Sequence, residues 1–204
     1  MNKIINQGAE AVIESKGNEI IKKRINKSYR IKEIDEKIRK LRTRSEGKLL
    51  ERASKFIPVP KVLKIDEINK EILMEKIEGK RLSDSLNNFT AEKQKQICKG
   101  IGENIAKLHN NNIIHGDLTL ANMIFVKDKV YFIDFGLSFI SPKVEDKAVD
   151  LHLLKESLEA GFANNWEVLF DSIKKGYSNN SSNFHIILER FKDVEKRGRY
   201  KQSS

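Results

Sequence analysis

The sequence has little cysteine and no long hydrophobic run, and each shortage excludes a class of protein. The single cysteine, Cys98, excludes an internal disulfide and a metal site built from several cysteines. No apolar run approaches the roughly 20 residues that a membrane-spanning helix needs, so we expect no membrane contact. Residues 1–6 contain no apolar segment of signal-peptide length. These features together predict a protein of a reducing, cytoplasmic compartment.

The sequence also lacks a balance of charge, with a formal net charge of +10 over 204 residues. Residues 22–55 contain 14 lysines and arginines against 5 acidic residues, and residues 190–204 contain 6 against 2. Clustered positive charge attracts polyanions because binding releases condensed counterions. Contact with RNA or DNA fits this pattern, and so does an ordinary solvated helix face.

Length and composition limit the architecture. Hydrophobic residues make up 39% of the chain and charged residues 33%, which is typical of a globular protein. The chain is long enough for one good-sized core, or for two small lobes packed on each other. It is too short for a full protein kinase.

The most informative stretch is residues 113–122. After two isoleucines, His115, Asp117 and Asn122 follow the spacing H-x-D-x-x-x-x-N of kinase catalytic loops. A predicted hairpin over 123–133 then leads to Asp134-Phe-Gly, which brings Asn122 and Asp134 to neighbouring strand ends. A carboxamide and a carboxylate suit Mg²⁺ (or Mn²⁺) bound to ATP phosphates. Asp117 is then free to orient an acceptor hydroxyl or water and to take its proton.

Each of these motifs is weak when taken alone. An aspartate after a strand is common, and an isolated His-Gly-Asp is more often an ordinary loop. The two motifs occur here in the right order and at the right spacing, on the predicted loop and strand ends. The combination therefore favours phosphoryl transfer from ATP.

The N-terminal segment predicts a strand, a turn at 7–11 and a second strand. The turn could cover phosphates, but it contains only Gly8 of the kinase pattern G-x-G-x-x-G and also fits an ordinary hairpin. The next predicted strand, 19–25, contains Lys22, the candidate phosphate ligand. The two-residue period puts Lys22 and Arg24 on one face and Lys23 on the other, so the pattern alone does not choose among them.

A helical pattern covers residues 32–55, as one helix or as two with a break near 45–47. Glu46 could pair with Lys22 and hold it on the nucleotide, although such a residue is more often a surface group. The predicted strand at 71–79 would be the kinase hinge. There the Glu75 carbonyl and the Ile77 amide are candidates for adenine recognition, with Met74 beside the pocket.

The second half of the chain predicts helices. Thr90 is a suitable N-cap for a helix that ends near residue 110, and further helices follow over 148–158, 166–177 and 184–194. Residues 195–204 lack an apolar pattern and predict a mobile basic tail. Only a short segment follows Asp-Phe-Gly, and Gly116 replaces the arginine that usually precedes the catalytic aspartate. Regulation through a phosphorylated activation loop is therefore not expected.

Taken together, these motifs resemble the small atypical kinase subunit of the KEOPS complex, the PRPK type, which is distantly RIO-like. The most specific are Lys-x-Arg followed by Lys-x-Tyr-Arg at 22–30, His-Gly-Asp-Leu-Thr at 115–119 and Arg-Gly-Arg at 197–199. The resemblance extends over essentially the whole chain. The other stretches that carry it are 8–11, 44–46, 74–79, 134–136 and 149–151.

This resemblance implies an α+β, minimal bilobal protein-kinase-like fold. Residues 1–77 would form an antiparallel-sheet N-lobe, 78–194 a small and mostly helical C-lobe, and 195–204 a basic tail. It also implies an Mg-ATP-dependent atypical Ser/Thr kinase or ATPase. Such a protein would support the threonylcarbamoyl transferase subunit, with other KEOPS subunits, in the threonylcarbamoyl-adenosine modification of tRNA.

The resemblance further implies roles for individual residues. Lys22, Glu46 and Asp117 would be catalytic, and Asn122 and Asp134 would hold the metal. His115 and Asp150 would support the catalytic loop, and Arg197 and Arg199 would reach toward the partner or its tRNA. The residues implied in nucleotide binding are Gly8, Ala9, Glu10, Ala11, Lys22, Glu75, Ile77, Asn122 and Asp134.

Two other classes remain as alternatives. Small-molecule phosphotransferases resembling aminoglycoside and choline kinases also contain His-Gly-Asp and asparagine at this spacing. They would need an acidic acceptor pocket and a larger helical lobe, so the short C-terminal part and the basic surface argue against them. A non-catalytic RNA and protein interaction module is the third reading, and negligible nucleotide turnover even with partners would favour it.

Overall fold

The N-terminal part is built around a five-stranded antiparallel sheet. The computed structural model describes the backbone of residues 3–202 and the side chains of residues 3–197. The sheet order is β1-β2-β3-β5-β4. Its strands are β1 (Lys3–Gln7), β2 (Ala11–Lys16), β3 (Glu19–Arg24), β4 (Val62–Asp66) and β5 (Glu71–Glu75), and helix α1 (Lys32–Ala53) joins β3 to β4.

Short polar turns close this sheet. Gly17 joins β2 to β3 with a φ of +60°, a conformation that glycine adopts without a steric penalty. Asp66 closes the β4–β5 turn, since its carboxylate accepts from the backbone N–H groups of Ile68 (3.1 Å) and Asn69 (2.9 Å). The pairing of β2 with β3 is regular along its whole length, and the alternation along β3 directs Lys22 and Arg24 to one side and Lys23 to the other.

The C-terminal part is mostly helical, with two small sheets beside the helices. One sheet has the order β6-β8-β9 and the other pairs β7 with β10. The helices are α2 (Leu82–Ser85), α3 (Ala91–Asn110), α4 (Val144–Gly161), α5 (Trp166–Asn180) and α6 (Phe184–Gln202). The strands are β6 (Lys80–Arg81), β7 (Ile113–Ile114), β8 (Met123–Val126), β9 (Lys129–Phe132) and β10 (Phe139–Ile140).

Helices α3 and α5 approach each other so closely that only glycine fits at the contact. A Cβ atom on Gly102 would lie 2.8 Å from the backbone nitrogen of Tyr177, and one on Gly176 would lie 2.8 Å from the carbonyl carbon of Lys99. These distances are shorter than a normal van der Waals contact. The two glycines therefore fix how α5 packs against α3, the helix that leads into the predicted catalytic loop.

One hydrophobic core runs through both parts of the chain. It includes Leu50 and Ile72 from the N-terminal part and Ile101, Phe132 and Leu154 from the C-terminal part, all nearly inaccessible to solvent. A backbone hydrogen bond from the Phe132 N–H to the Pro58 carbonyl (3.0 Å) also joins the two parts. Because the core is continuous, the boundary at residues 77 and 78 stays a prediction.

Most of the predicted elements are present in the fold. Residues 32–53 form one unbroken helix, so the break considered near residues 45–47 is absent from α1. Thr90 caps α3, because its hydroxyl accepts from the Lys93 N–H (3.3 Å). No helix among the described residues combines the length and the apolar character needed to cross a bilayer.

The C-terminal end differs from the expected mobile tail. Helix α6 does not end near residue 194 but continues to Gln202. Its continuation is held against α4 by two ion pairs, Glu195 with Lys155 (2.6 Å) and Arg197 with Glu145. The sequence pattern missed this because residues 195–197 are held by ion pairs, which leave no apolar periodicity in the sequence.

Candidate active site

A buried carboxylate shared by two cations forms the centre of the candidate site. Glu46 on α1 accepts from the Lys22 Nζ at Oε1 (2.6 Å) and from the Arg24 Nη2 at Oε2 (2.5 Å). The side chains of Lys22, Glu46 and Arg24 are 9%, 1% and 5% exposed. Alternation along β3 turns both cations toward α1, whereas Lys23 faces the other way and pairs with Glu71 (2.8 Å). Glu46 is therefore a central buried group and not a surface residue.

Asp134 extends this cluster to the segment that follows β9. Its Oδ1 lies 2.6 Å from the Lys22 Nζ and also accepts from the Gly136 N–H (3.1 Å). The backbone of Asp134 has a φ of +63°, which is uncommon for a residue other than glycine. This conformation turns the carboxylate back toward Lys22, across the boundary between the two parts of the chain.

The charges in this cluster stabilise one another despite their burial. Burial acts to lower the pKa of Lys22, but the charges of Glu46 and Asp134 outweigh it and hold that pKa above its usual value. Burial likewise acts to raise the pKa of Asp134, and the charge and hydrogen bond of Lys22 outweigh it in the opposite direction. Both groups are therefore charged at neutral pH.

The catalytic-loop motif adopts a defined arrangement of side chains. The Asn122 Nδ2 donates to the Asp117 carboxylate (2.8 Å) and to the Asp117 carbonyl (3.0 Å). The fully buried His115 lies behind them, with its Nε2 3.2 Å from the Ile133 carbonyl. Burial lowers the pKa of His115, so the ring is neutral and donates from Nε2. His115 thereby links the catalytic loop to the strand end that presents Asp134.

Asp150 on α4 holds the backbone of the same loop. Its carboxylate accepts from the N–H groups of His115 (2.7 Å) and Gly116 (2.8 Å), and it lies 3.2 Å from the His109 Nε2. The His109 Nδ1 is in turn 2.9 Å from the Tyr177 hydroxyl. This buried network connects three helices to the loop and satisfies the polar groups that it buries.

Gly116 is required by the backbone at its position. Its φ is +79°, and a Cβ atom there would lie 2.9 Å from the Leu137 carbonyl carbon and still closer to the oxygen. A residue with a side chain would have both a strained backbone and a steric clash. This close approach explains why an arginine does not occupy the position before Asp117.

Two cavities meet at Lys22 and Asp134. The first, which we call the base-side cavity, has a volume of about 330 Å³ and includes the predicted hinge residues Glu75 and Ile77. The second, the loop-side cavity, has a volume of about 270 Å³ and contains Asp117. Met74, Glu46 and Asn122 also line the base-side cavity. The loop-side cavity is further lined by Gly8, Ala9, Glu10, Ala11, Arg24 and Arg42.

The residues at this junction fit a nucleotide with a divalent metal ion. The Asn122 nitrogen is used by Asp117, which leaves the amide oxygen and the Asp134 carboxylate as hard oxygen ligands. The described residues contain no group of three or more His, Cys, Asp or Glu side chains that could hold a metal ion by themselves. A metal here would therefore share its coordination with phosphates and water, as Mg²⁺ does in phosphoryl-transfer sites.

Other predicted site residues lie elsewhere. Arg197 pairs with Glu145 on α4 and lines neither of the two cavities. The side chain of Arg199 is outside the described residues. A larger cavity of about 720 Å³ lies between α4, α5 and α6, but it includes none of the predicted site residues. The two smaller cavities are the candidate active site because the convergent charged groups line them.

Four residues of this site were not given a role by the sequence. Arg24 shares Glu46 with Lys22, and the strand period had already put it on the same face. Arg42 pairs with Glu10 (2.8 Å) across the loop-side cavity, over a sequence distance that no local pattern reveals. His109 and Tyr177 support Asp150 from helices whose apolar periodicity gave no sign of a polar contact.

Comparisons with known proteins identify the family of this chain. The RIO domain family matches residues 10–149. The chain is 42% identical to KEOPS complex subunit Bud32 of Pyrococcus abyssi, covering 99% of this chain and 98% of that protein. It is 41% identical to a probable serine/threonine-protein kinase BUD32 homolog of Archaeoglobus fulgidus, covering 95% of this chain and 94% of that protein.

A third relative is longer than this chain. A probable bifunctional tRNA threonylcarbamoyladenosine biosynthesis protein of Methanobrevibacter smithii is 43% identical, and the match covers 97% of this chain but 36% of that protein. Among solved structures, the streptomycin-ATP-APH(2")-IIa ternary complex is similar with a TM-score of 0.63 and 12% identity, covering 94% of this chain and 81% of that one. This likeness confirms the predicted kinase-like α+β fold and shows the fold alone.

Proposed function

Because this chain belongs to the Bud32 family of RIO-domain proteins, we propose that it is an atypical serine/threonine kinase or ATPase that uses Mg-ATP. The observation that carries the proposal is the convergence of Lys22, Glu46 and Asp134, joined by two contacts of 2.6 Å, at the junction of two cavities. Asp117 lines the loop-side cavity next to that junction. This is the arrangement that phosphoryl transfer requires, since positioning and charge stabilisation supply most of the catalysis.

Different residues of the two cavities would have different roles in the reaction. The Glu75 carbonyl and the Ile77 N–H would recognise the adenine in the base-side cavity. Lys22 would turn from Asp134 to the phosphates, still oriented by Glu46. A magnesium ion, held by Asn122 and Asp134, would neutralise charge on the phosphates. Asp117 would accept the proton of the attacking hydroxyl or water as the bond to the phosphoryl group forms.

The relatives indicate the complex and the process in which this activity would take part. One is a KEOPS complex subunit and another is a tRNA threonylcarbamoyladenosine biosynthesis protein. We infer that this chain works in the cytoplasm with a threonylcarbamoyl transferase subunit and other KEOPS subunits. Its activity would support the threonylcarbamoyladenosine modification of tRNA.

The surface of α1 supports contact with tRNA. Its basic residues recur at spacings of three or four and so share one exposed face. A basic stripe of this kind binds a phosphate backbone with strong salt dependence. The exposed residues of the stripe are Lys37, Lys40, Arg44, Lys48 and Arg52. Replacing Lys40, Arg44 and Lys48 by glutamine should weaken tRNA binding in a filter assay and reduce its salt dependence, without changing nucleotide affinity.

The active-site assignment is tested by ATP turnover with the transferase subunit and tRNA present or absent, following both released phosphate and labelled protein. Asp134→Ala should abolish metal-dependent turnover, and Asp117→Ala should reduce it severely. Asp128→Ala is the matched control, because this exposed aspartate lies in the neighbouring hairpin and pairs with Lys93. Turnover that is unchanged in both active-site variants would contradict the assignment.

The form of the product separates the remaining readings. Phosphate release that responds to the partner or to tRNA would indicate an ATPase, and labelled protein with little free phosphate would indicate a protein kinase. No turnover in any mixture would leave an interaction module. A truncation before Arg197 should retain nucleotide binding and weaken the tRNA-linked function, since Arg197 lies away from both cavities.

A further inference from the structure

Glu46 carries too little charge to neutralise both of its cationic partners. Its carboxylate contacts the Lys22 ammonium at 2.6 Å and the Arg24 guanidinium at 2.5 Å, and all three side chains are buried. One positive charge in this group therefore depends on a further anion. Asp134 supplies that anion through its contact with Lys22. When Asp134 instead binds a metal ion, the buried pair of cations is left with a net positive charge that a phosphate can complement.

Arg24 has a donor that the protein leaves unused. Its Nε–H is buried and has no hydrogen-bond partner among the described residues. Such a donor is unfavourable unless an anion or water satisfies it, and guanidinium groups bind phosphate oxygens well. The Arg24 side chain is 5% exposed and nevertheless borders the loop-side cavity. The residue that carries the unpartnered donor thus borders a space that can hold a ligand.

The position of Arg24 indicates which phosphate it would meet. Lys22 and Asp134 line both cavities, whereas Arg24 lines only the loop-side cavity, where Asp117 is also found. A Cβ atom on Gly136 would lie 3.0 Å from the Asp134 Oδ1, 3.5 Å from the Lys22 Nζ and 3.6 Å from the Arg24 Nη2. The three groups therefore converge on one point. A nucleotide that enters from the base-side cavity reaches Lys22 first and Arg24 only with its terminal phosphoryl group.

We propose that Arg24 is a second cationic ligand of the transferred phosphoryl group, placed on the acceptor side of Lys22. This inference rests on the proposed function, because it assumes that ATP occupies the two cavities. Arg24 would stabilise the negative charge that develops as the phosphoryl group moves toward the attacking oxygen at Asp117. Glu46 would then orient two cations, one for the inner phosphates and one for the group that is transferred.

The test compares two nucleotides that differ only in the terminal phosphate. Calorimetry would measure the affinity of Mg-ADP and of the Mg complex of a non-hydrolysable ATP analogue for wild type, Arg24→Gln and Arg24→Lys. Glutamine can still donate to Glu46 but carries no charge. We expect Arg24→Gln to weaken binding of the analogue by about 10- to 100-fold, as for a lost hydrogen bond to a charged group. Its affinity for ADP should stay within about 2-fold of wild type.

Two further variants define the comparison. Lys23→Gln changes the neighbouring residue on the opposite face of β3, and it should leave both affinities unchanged. Lys22→Met should weaken the binding of both ADP and the analogue, because Lys22 lines the base-side cavity as well. Arg24→Lys keeps one charge but cannot reach both Glu46 and the phosphate, so it should lower kcat while sparing ADP affinity.

Several outcomes would overturn the inference. If Arg24→Gln weakens the binding of ADP and of the analogue equally, Arg24 acts only by holding Glu46 and Lys22 in place. If neither affinity changes, Arg24 does not touch the nucleotide. If wild-type turnover depends on Asp134 but Arg24→Gln has the same nucleotide affinities and turnover as Lys23→Gln, this inference is wrong and the proposed function still holds. A wild type that binds no nucleotide would overturn the proposed function with it. Urea unfolding of each variant verifies that it is folded at the assay temperature.

Discussion

Replacement of Gly116 by alanine should damage both the stability and the activity of this protein. The glycine has a φ of +79° and faces the Leu137 backbone, so the substitution adds backbone strain and a clash. Substitutions at two other glycines allow the backbone strain and the clash to be measured separately. Gly17 has a φ of +60° and no atom within 4 Å of an added Cβ, whereas Gly100 lies inside α3 with a free Cβ position and helical geometry.

The magnitudes follow from these three environments. A residue with a side chain in the left-handed region costs about 1–2 kcal/mol, partly offset by a stiffer unfolded chain, so Gly17→Ala should lose about 1 kcal/mol. Gly100→Ala should gain about 1 kcal/mol, since alanine is the better helix former. Gly116→Ala has the same backbone strain as Gly17→Ala. Relief of the clash should cost a further 1–3 kcal/mol, roughly.

The same clash should move the catalytic loop. Contact with the Leu137 carbonyl requires a shift on the order of 1 Å, and displacements of that size can reduce turnover by about 100-fold. The assays are urea unfolding, followed through the single tryptophan Trp166, and ATP turnover at a temperature where all variants are folded. If Gly116→Ala is no less stable than Gly17→Ala and turns over ATP normally, the steric argument for this glycine is wrong.

Three further predictions concern other sites. Asp66 has its pKa lowered to about 2, chiefly by the Asn69 backbone N–H, so its stabilising effect is present above the ordinary value of 3.8 and disappears as the pH falls toward about 2. The difference in unfolding free energy between wild type and Asp66→Ala should therefore vanish at low pH; a constant difference would contradict this assignment. Burial raises the pKa of the Cys98 thiol to about 12, so a thiol reagent at pH 8 should react only after unfolding, and rapid labelling of the native protein would show that the site is open. Tyr177→Phe should lower the unfolding free energy by about 1–3 kcal/mol, because it leaves the buried His109 Nδ1 without its partner, and an unchanged urea midpoint would be the contrary result.

The sequence predicted those parts of the fold that depend on local pattern. Period-two alternation located β3 and period-3.6 repeats located α3 and α4, because each element buries one face against a common core. The fixed spacing of Asp117, Asn122 and Asp134 also predicted that these residues would meet. A hairpin and a short loop constrain such a cluster almost independently of the rest of the chain.

The contacts that the sequence did not reveal join distant segments. Arg24 and Arg42 acquire their roles only when α1 packs against the sheet, and an arginine beside other basic residues gives no local sign of a distant partner. The helical continuation to Gln202 was missed for a related reason. Its ion pairs with α4 depend on the tertiary arrangement, which propensity along a single segment cannot express.

The hydrogen bonds of Asp150 have a consequence for how this protein could evolve. The carboxylate is buried, and it serves the catalytic loop and the helix packing at the same time. A descendant that gave up catalysis would still use the buried hydrogen bonds of Asp150, whereas the Asp117 carboxylate is partly exposed and accepts from the Asn122 side chain. The presence of Asp150 in a relative is therefore poor evidence of an active enzyme. Asp117 is the better indicator, because the role proposed for its carboxylate is chemical, whereas Asp134 also neutralises the buried Lys22.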